Sequence, residues 1–96
     1  MYVSIYVTAD YVATELGSTC IEIGKIPIFD KYECEKAASY LGKRFNSMSR
    51  LTYENDLNYP TGCYFLRSGS TYWNSHPNGL RRFGTAMICN NIVGKF

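Results

Sequence analysis

The chain has 96 residues, of which 46% are hydrophobic and 19% are charged, and its formal net charge is +2. This composition is that of a folded globular chain and excludes a disordered or low-complexity one, and the length suits one domain with a modest hydrophobic core. The sequence pI of about 8.4 lies below the value of about 9 that marks basic nucleic-acid-binding domains, and motifs for base stacking or groove reading are absent from the sequence. We therefore expect no nucleic-acid partner.

The amino-terminal residues 1–17 are apolar but are interrupted by Asp10 and Glu15. They lack the basic start and the unbroken apolar run of a signal peptide. No segment of the sequence reaches the roughly 18 consecutive apolar residues of a membrane span, so no transmembrane segment is predicted.

The first third of the chain favours strands. Residues 3–8, VSIYVT, are rich in β-branched and aromatic side chains and predict an edge strand or a free arm. Residues 11–16 and residues 19–23 alternate as half-buried strands do. Gly24 and Pro27 are expected to interrupt regular structure after them.

Residues 30–42 give the clearest helix signal. Asp30 is a favourable N-cap, and Glu33 three positions later predicts a reciprocal capping box. Gly42 suits the left-handed position that ends a helix. At three- and four-residue spacing, one face of this helix carries small and apolar residues, which are Cys34, Ala37, Ala38 and Leu41.

The second half of the chain predicts a long loop, a hairpin and a final strand. Residues 43–62 are rich in Asn, Ser, Pro and Gly and predict an ordered loop with one strand over 50–53. The segments CYFLR and STYWN, joined by a turn at Ser68 and Gly69, predict a β-hairpin. Residues 75–84 form another predicted loop, TAMIC is the last strand, and the tail 91–96 is expected to leave the core.

Four well-separated cysteines, in the absence of a C-x-x-C pair, indicate two disulfides rather than a zinc site. Three connectivities are open in principle, and four buried free thiols are the alternative. The predicted positions favour Cys20 with Cys89, both on strands at the ends of the core, and Cys34 on the helix with Cys63 at the start of the hairpin. Two disulfides imply an oxidising compartment, which is the extracellular space or an organelle lumen, the thylakoid lumen included.

Together these elements predict one α+β domain, in which a single helix packs on a small, mostly antiparallel sheet stapled by two disulfides. We divide the chain into an amino-terminal strand or arm (residues 1–16), a cysteine module (17–90) and a tail (91–96). No repeat or linker divides it further.

The order of ECEKAASYLG, YPTGCY, YWN and a final cysteine resembles a small cysteine module. Such modules recur in secreted and membrane-anchored proteins of algae, dinoflagellates and other marine organisms. The module looks like a distant relative of the apple or PAN type, which implies binding of protein or carbohydrate without catalysis. The chain departs from apple domains in the number and spacing of its cysteines, so no ligand-binding residue is carried over.

The residues that could carry catalysis or bind a metal do not form a recognisable set. His76 is the only histidine, it precedes Pro77 in a turn-rich loop, and no acidic residue follows Asp56 to orient it. Residues 54–58, ENDLN, offer oxygen ligands but lack the acid spacing and the glycine of an EF-hand loop. We therefore expect no enzyme activity, no cofactor and no metal.

Binding is the function class that remains. Aromatic and arginine side chains have the composition of interface hot spots and could also stack on sugars. The candidate binding residues are Tyr64, Tyr72, Trp73, Arg67, Arg81 and Arg82. Against this, a domain of this size needs most of its aromatics for the core, so most of these rings are expected to be core rather than ligand surface.

The sequence therefore predicts a non-enzymatic binding module for a protein or a glycan at an extracellular or lumenal surface. The alternative is a structural accessory subunit that docks permanently, through residues 1–12, into a larger membrane-associated assembly such as the lumenal side of an algal photosystem complex.

Overall fold

The structure, a computed structural model, describes residues 10–46 and 55–91. In these residues, one helix packs across one face of a curled, mixed sheet. The predicted α+β class is confirmed. The strands are β1 (Tyr11–Ala13), β2 (Ile26–Pro27), β3 (Arg44–Phe45), β4 (Gly62–Leu66), β5 (Ser70–Asn74) and β6 (Thr85–Asn90), and the helix is α1 (Lys31–Tyr40).

The sheet has the order β1-β6-β4-β5-β3, and β2 also pairs with β6. All pairs are antiparallel except β3 with β5. The hairpin β4–β5 matches the predicted one, with Tyr64 opposite Tyr72 in register. On its other side β4 pairs with β6, so that the last strand lies between the hairpin and the amino-terminal strand.

The first turn of α1 is capped as the sequence predicts, but only in one direction. The Asp30 carboxylate accepts a hydrogen bond from the Glu33 backbone N–H at 2.8 Å. The Glu33 carboxylate instead accepts a hydrogen bond from the Tyr11 hydroxyl at 3.1 Å. This contact ties the amino-terminal strand to the helix across more than twenty residues of chain.

Gly42 follows the C-cap residue Leu41 of α1 and has a φ of 71°. The backbone N–H of Gly42 donates to the Ser39 carbonyl and that of Lys43 donates to the Ala38 carbonyl. These two bonds form a Schellman motif, which satisfies carbonyls that the helix leaves without a partner. The predicted carboxyl end of the helix is confirmed.

Alternation along the strands gives the sheet two faces, each with its own core. We call the face under α1 the helix face; its buried residues are Tyr11, Ile28, Cys34, Ala37, Ala38, Cys63, Phe65, Ala86 and Ile88. We call the opposite face the tyrosine face; its buried residues are Cys20, Tyr64, Met87 and Cys89, with Val12, Tyr59, Leu66 and Tyr72 partly buried against them.

Each face is closed by one disulfide. Cys34 on α1 bonds to Cys63 on β4, and Cys20 bonds to Cys89 on β6. Both predicted pairings are confirmed. Two disulfides are compatible with an oxidising compartment.

The strand predicted over residues 19–23 is wrong, because Ile21–Ile23 form a 3₁₀ turn. The Glu22 carboxylate accepts a hydrogen bond from the Thr19 backbone N–H at 3.0 Å, and the Thr19 hydroxyl accepts one from the Glu22 N–H at 3.4 Å. Thr19 and Glu22 thus form the capping box of a helical turn, and Gly24 closes it with a φ of 75°. These local hydrogen bonds override the alternating pattern.

Two short strands were not predicted. Ile26–Pro27 pair with β6, although Pro27 was expected to interrupt regular structure. Arg44–Phe45, which belong to the segment predicted as a loop, pair in parallel with β5. Both are two residues long, too short to show a periodic pattern. The predicted strands over 3–8 and 50–53, and the tail beyond residue 91, lie outside the described residues.

Candidate functional site

An apolar pocket of about 220 Å³ opens on the tyrosine face, beside the Cys20–Cys89 disulfide. We call it the apolar pocket. It is formed by the 3₁₀ turn, strands β2 and β6, and the loops on either side of the hairpin. Its lining residues are Thr19, Cys20, Ile21, Pro27, Pro60, Thr61, Gly79, Arg81 and Met87.

One wall of the apolar pocket is held in place by Asn74, which ends β5 and is fully buried. The two hydrogens of its side-chain NH₂ are shared among the carbonyls of Asp56, Tyr59 and Pro60, whose oxygens lie 2.8 to 3.0 Å from the nitrogen. Its side-chain oxygen accepts from the backbone N–H groups of Asp56 and His76 at 2.9 and 3.2 Å. A single buried amide therefore fixes both the loop that contains Pro60 and the start of the loop after β5.

Thr61 and Gly79 join these two loops at the pocket. The Thr61 hydroxyl donates to the His76 carbonyl at 2.7 Å and accepts from the Gly79 N–H at 2.6 Å. A Cβ atom on Gly79 would lie 2.2 Å from the Tyr59 carbonyl oxygen. The close approach of the loops at this point therefore requires glycine.

The charged part of the pocket is an ion pair between Arg81 and Glu22. The pKa of Glu22 is lowered from its ordinary value, chiefly because the Thr19 backbone N–H donates to its carboxylate. Desolvation is the next largest effect and raises the pKa, while a hydrogen bond from Ser18 and the charge of Arg81 lower it further. Both charged side chains are about half exposed. The guanidinium is therefore accessible to an acidic group from outside.

A row of stacked tyrosines lies beside the pocket on the same face. The ring of Tyr64 stacks on that of Tyr59 at 5.2 Å and on that of Tyr72 at 5.5 Å, measured between ring centroids. The Arg82 guanidinium lies 4.7 Å from the centroid of the Tyr59 ring. Tyr64 pairs in register with the pocket residue Met87, so the row and the pocket are neighbours.

The loops around the apolar pocket expose large hydrophobic side chains. Ile21, in the pocket lining, is 70% exposed, and Leu80 and Phe83, on either side of the two arginines, are 55% and 92% exposed. Leu57 is also exposed, and its carbonyl accepts the Leu80 N–H at 3.0 Å. Apolar side chains exposed on the loops around a pocket are typical of interaction surfaces.

The six candidate binding residues do not form one site. Tyr64 is 2% exposed and belongs to the core, while Tyr72 is half-buried beside it. Trp73 packs on the opposite, helix face. Arg67 lines a second concavity near the hairpin turn. Arg81 in the pocket and Arg82 over Tyr59 are the two that adjoin each other.

The groups that could support chemistry are engaged in backbone structure. The His76 Nδ1 accepts the Asn78 backbone N–H at 3.0 Å, and an Asp56 carboxylate oxygen accepts the Asn58 N–H at 2.8 Å. No group of three or more His, Cys, Asp or Glu that could hold a metal occurs among residues 10–46 and 55–91. In the same residues, no helix is both long and apolar enough to span a bilayer.

Sequence reasoning missed three residues that build the apolar pocket: Glu22, Thr61 and Asn74. The T-x-x-E pattern from Thr19 to Glu22 is a signal that could have identified the turn. Nothing in the sequence distinguishes the buried Asn74 from the exposed asparagines of the loops, because its partners are backbone carbonyls distant along the chain.

The apolar pocket offers an apolar floor, one accessible guanidinium and threonine hydroxyls. The Thr61 hydroxyl already has two hydrogen-bond partners within the domain. These groups can bind and orient a ligand; they do not form a nucleophile and base pair. The resemblance to a small cysteine module stays a prediction, because no protein-family model, no curated protein and no solved structure matches this chain.

Proposed function

We propose that the domain is a non-enzymatic, disulfide-stapled module that binds a protein partner through the apolar pocket and its exposed apolar rim. The observation that carries this proposal is the pocket itself, whose floor of Cys20 and Met87 is buried and whose edge carries the exposed Ile21. Interfaces of this kind place one apolar side chain of the partner into a preformed pocket and surround it with weaker contacts.

The size of the pocket favours a protein side chain over a free ligand. At about 220 Å³ it is smaller than the roughly 300 to 1,000 Å³ of sites that enclose whole small molecules. Its lining is mainly apolar, with the polar groups of Thr61 engaged within the domain. A sugar ring, which needs several free hydrogen-bonding groups, would leave its hydroxyls without partners there.

Charge favours a partner segment that carries an acidic residue beside its apolar one. Arg81 and Arg82 are exposed and flanked by Leu80 and Phe83. Glu22 occupies only part of the hydrogen-bonding capacity of Arg81, since a guanidinium has five N–H donors. Arginine and aromatic residues are enriched in the energetically dominant parts of interfaces.

A random peptide library displayed on phage tests this proposal when it is selected on the folded, oxidised domain. We expect enriched peptides to share an apolar residue next to Asp or Glu. Synthetic versions should bind Ile21→Ser and Arg81→Gln at least about tenfold more weakly, which is the effect of losing one hot-spot contact.

Leu16→Ser is the matched control, because it removes an exposed leucine that does not line the pocket. Its affinity for the same peptides should change less than about twofold. The proposal would be contradicted if selection enriched no common motif. It would also be contradicted if the peptides bound the Ile21 and Leu16 variants equally well. Glycan-array hits that depend on Ile21 would assign the site to carbohydrate instead.

A permanently docked subunit, the alternative that the sequence raised, predicts a different behaviour. Such a subunit would aggregate when purified alone and would remain bound to one large assembly during purification from its source. A monomer by light scattering, with reversible peptide binding, favours the module. Residues 1–12 were proposed as the docking segment. Residues 1–9 lie outside the residues that the structure describes, and Tyr11 and Val12 pair with β6.

A further inference from the structure

A second concavity, of about 340 Å³, lies at the end of the sheet where α1 ends and the β4–β5 hairpin turns. We call it the basic pocket. Its lining contains three cationic residues, one hydroxyl and two glycines, and no apolar side chain. The lining residues are Gly42, Lys43, Arg44, Arg67, Ser68 and Gly69.

Two tight turns fix the backbone around the basic pocket. Gly42 and Lys43 belong to the Schellman motif of α1, and the Gly69 N–H donates to the Leu66 carbonyl at 2.8 Å across the hairpin turn. Arg44 pairs in register with Ser70, which brings the two turns together. Regular backbone structure therefore brings Arg67 to the same pocket as Lys43 and Arg44, although it lies more than twenty residues away in sequence.

The three cationic residues all line the basic pocket, and their charges are not neutralised within the described residues. The Lys43 ammonium lies 4.1 Å from the centroid of the Phe65 ring, and the Arg44 guanidinium donates to the Ser70 hydroxyl at 3.3 Å. Arg67 is exposed at the hairpin turn. No carboxylate of residues 10–46 or 55–91 forms an ion pair with any of the three.

The end of α1 does not cancel this positive charge. A helix carboxyl terminus carries a partial negative charge through its unpaired carbonyls. Here the carbonyls of Ala37, Ala38 and Ser39 accept backbone hydrogen bonds from Leu41, Lys43 and Gly42. The pocket consequently combines three cationic residues with a helix terminus at which the Ala38 and Ser39 carbonyls are already engaged.

From this geometry we propose that the basic pocket binds a tetrahedral oxyanion, specifically the sulfate ester of an anionic polysaccharide. Planar guanidinium groups match tetrahedral oxyanions with paired N–H donors, and a lysine ammonium adds a compact charge. Two disulfides suit an oxidising compartment, where sulfate esters on polysaccharides are available as polymeric oxyanions. The site is separate from the apolar pocket, with which it shares no lining residue.

The lining also argues against two other carriers of such an anion. Peripheral membrane sites add apolar side chains that insert between lipids, and none lines the basic pocket. Sites for single-stranded nucleic acid add aromatic rings on which bases stack, and these too are missing from the lining. An anionic polysaccharide requires neither.

Fluorescently labelled dextran sulfate is a suitable probe, with neutral dextran of the same length as its reference. We expect the domain to bind dextran sulfate with an affinity that falls as NaCl is raised, and not to bind neutral dextran. The double variant Arg44→Gln, Arg67→Gln should bind at least about tenfold more weakly and show a shallower dependence on salt.

The matched control is Lys25→Gln, Lys36→Gln, which lowers the net charge by the same amount at residues outside the basic pocket. It should lose less than about threefold in affinity, because neither lysine lines the pocket and charges outside it are screened by salt. Equal losses in the two double variants would overturn the site and leave only nonspecific attraction. Tighter binding to anionic phospholipid vesicles or to a single-stranded oligonucleotide than to dextran sulfate would overturn the assignment to polysaccharide. Circular dichroism of all variants confirms that they are folded.

Discussion

The buried side-chain amide of Asn74 donates to the Tyr59 carbonyl at 2.9 Å, and this contact links the end of the hairpin to the tyrosine row. The same amide bonds to Asp56 and Pro60, so this side chain holds the loop before β4 together with the contacts of Thr61 and Leu57. Pro60 lines the apolar pocket. The shape of the candidate site thus depends on a residue that does not line it.

Asn74→Ala should lower the free energy of unfolding by about 2 to 4 kcal/mol, because several backbone groups lose their partner in a buried place. Urea denaturation followed by tyrosine fluorescence measures the change. Asn78→Ala is the control, since Asn78 is an exposed asparagine in the next loop, and it should stay within about 0.5 kcal/mol of the wild type. Equal stabilities of the two variants would show that the amide network contributes little.

The Thr61 hydroxyl gives a sharper test of the contact between the two loops. Thr61→Val keeps the shape of the side chain but removes the partner of both the Gly79 N–H and the His76 carbonyl. We expect it to destabilise the domain by about 1 to 3 kcal/mol and to weaken binding of the selected peptides. Thr61→Ser retains the hydroxyl and should preserve most of both properties. Binding that survives in the valine variant would contradict a role of this contact in shaping the pocket.

The features that the sequence predicts well are those encoded locally. The helix is predicted because Asp30 and Gly42 mark its ends and small residues repeat on one face, and the hairpin because two aromatic segments flank a Ser-Gly turn. The Cys34–Cys63 disulfide follows from these placements, because Cys34 faces the sheet and Cys63 lies on the strand beneath it. The Cys20–Cys89 disulfide was predicted from a strand at Cys20 that the structure replaces with a 3₁₀ turn.

The site could not be predicted in the same way, because its geometry comes from contacts between distant segments. Arg81 meets Glu22 across 59 residues, and Arg44 meets Ser70 through a two-residue parallel pairing without a sequence pattern. Tyr64 and Tyr72 look equivalent in the sequence, yet only Tyr64 is also covered by the ring of Tyr59. Composition alone therefore grouped residues that the fold distributes over two pockets and two faces.

Each disulfide should contribute several kcal/mol to the stability of the domain. In the chain-entropy model, the bridges that close 69 and 29 residues stabilise the fold by about 4 and about 3.5 kcal/mol, respectively. Since domains of this kind have net stabilities of about 5 to 15 kcal/mol, reduction of both should unfold the chain at or near room temperature. Circular dichroism with and without reductant measures this effect, and unchanged spectra after complete reduction would contradict it.

Peptide mapping without reduction should recover Cys20 with Cys89 and Cys34 with Cys63.

The contact between the Tyr11 hydroxyl and the Glu33 carboxylate predicts a loss of stability at alkaline pH. The pKa of Tyr11 is raised above its ordinary value of 10.0, first by desolvation on burial and then by the hydrogen bond and charge of Glu33. Because the unfolded chain releases this proton at lower pH than the folded one, the stabilising contribution is complete below pH 10 and is lost as pH rises through the folded pKa. Urea denaturation at pH 9, 10 and 11 measures the slope. Tyr11→Phe should flatten the dependence of stability on pH. Tyr32→Phe, which removes an exposed tyrosine, should leave that dependence as in the wild type. Identical slopes for the two variants would rule out Tyr11 as the group responsible.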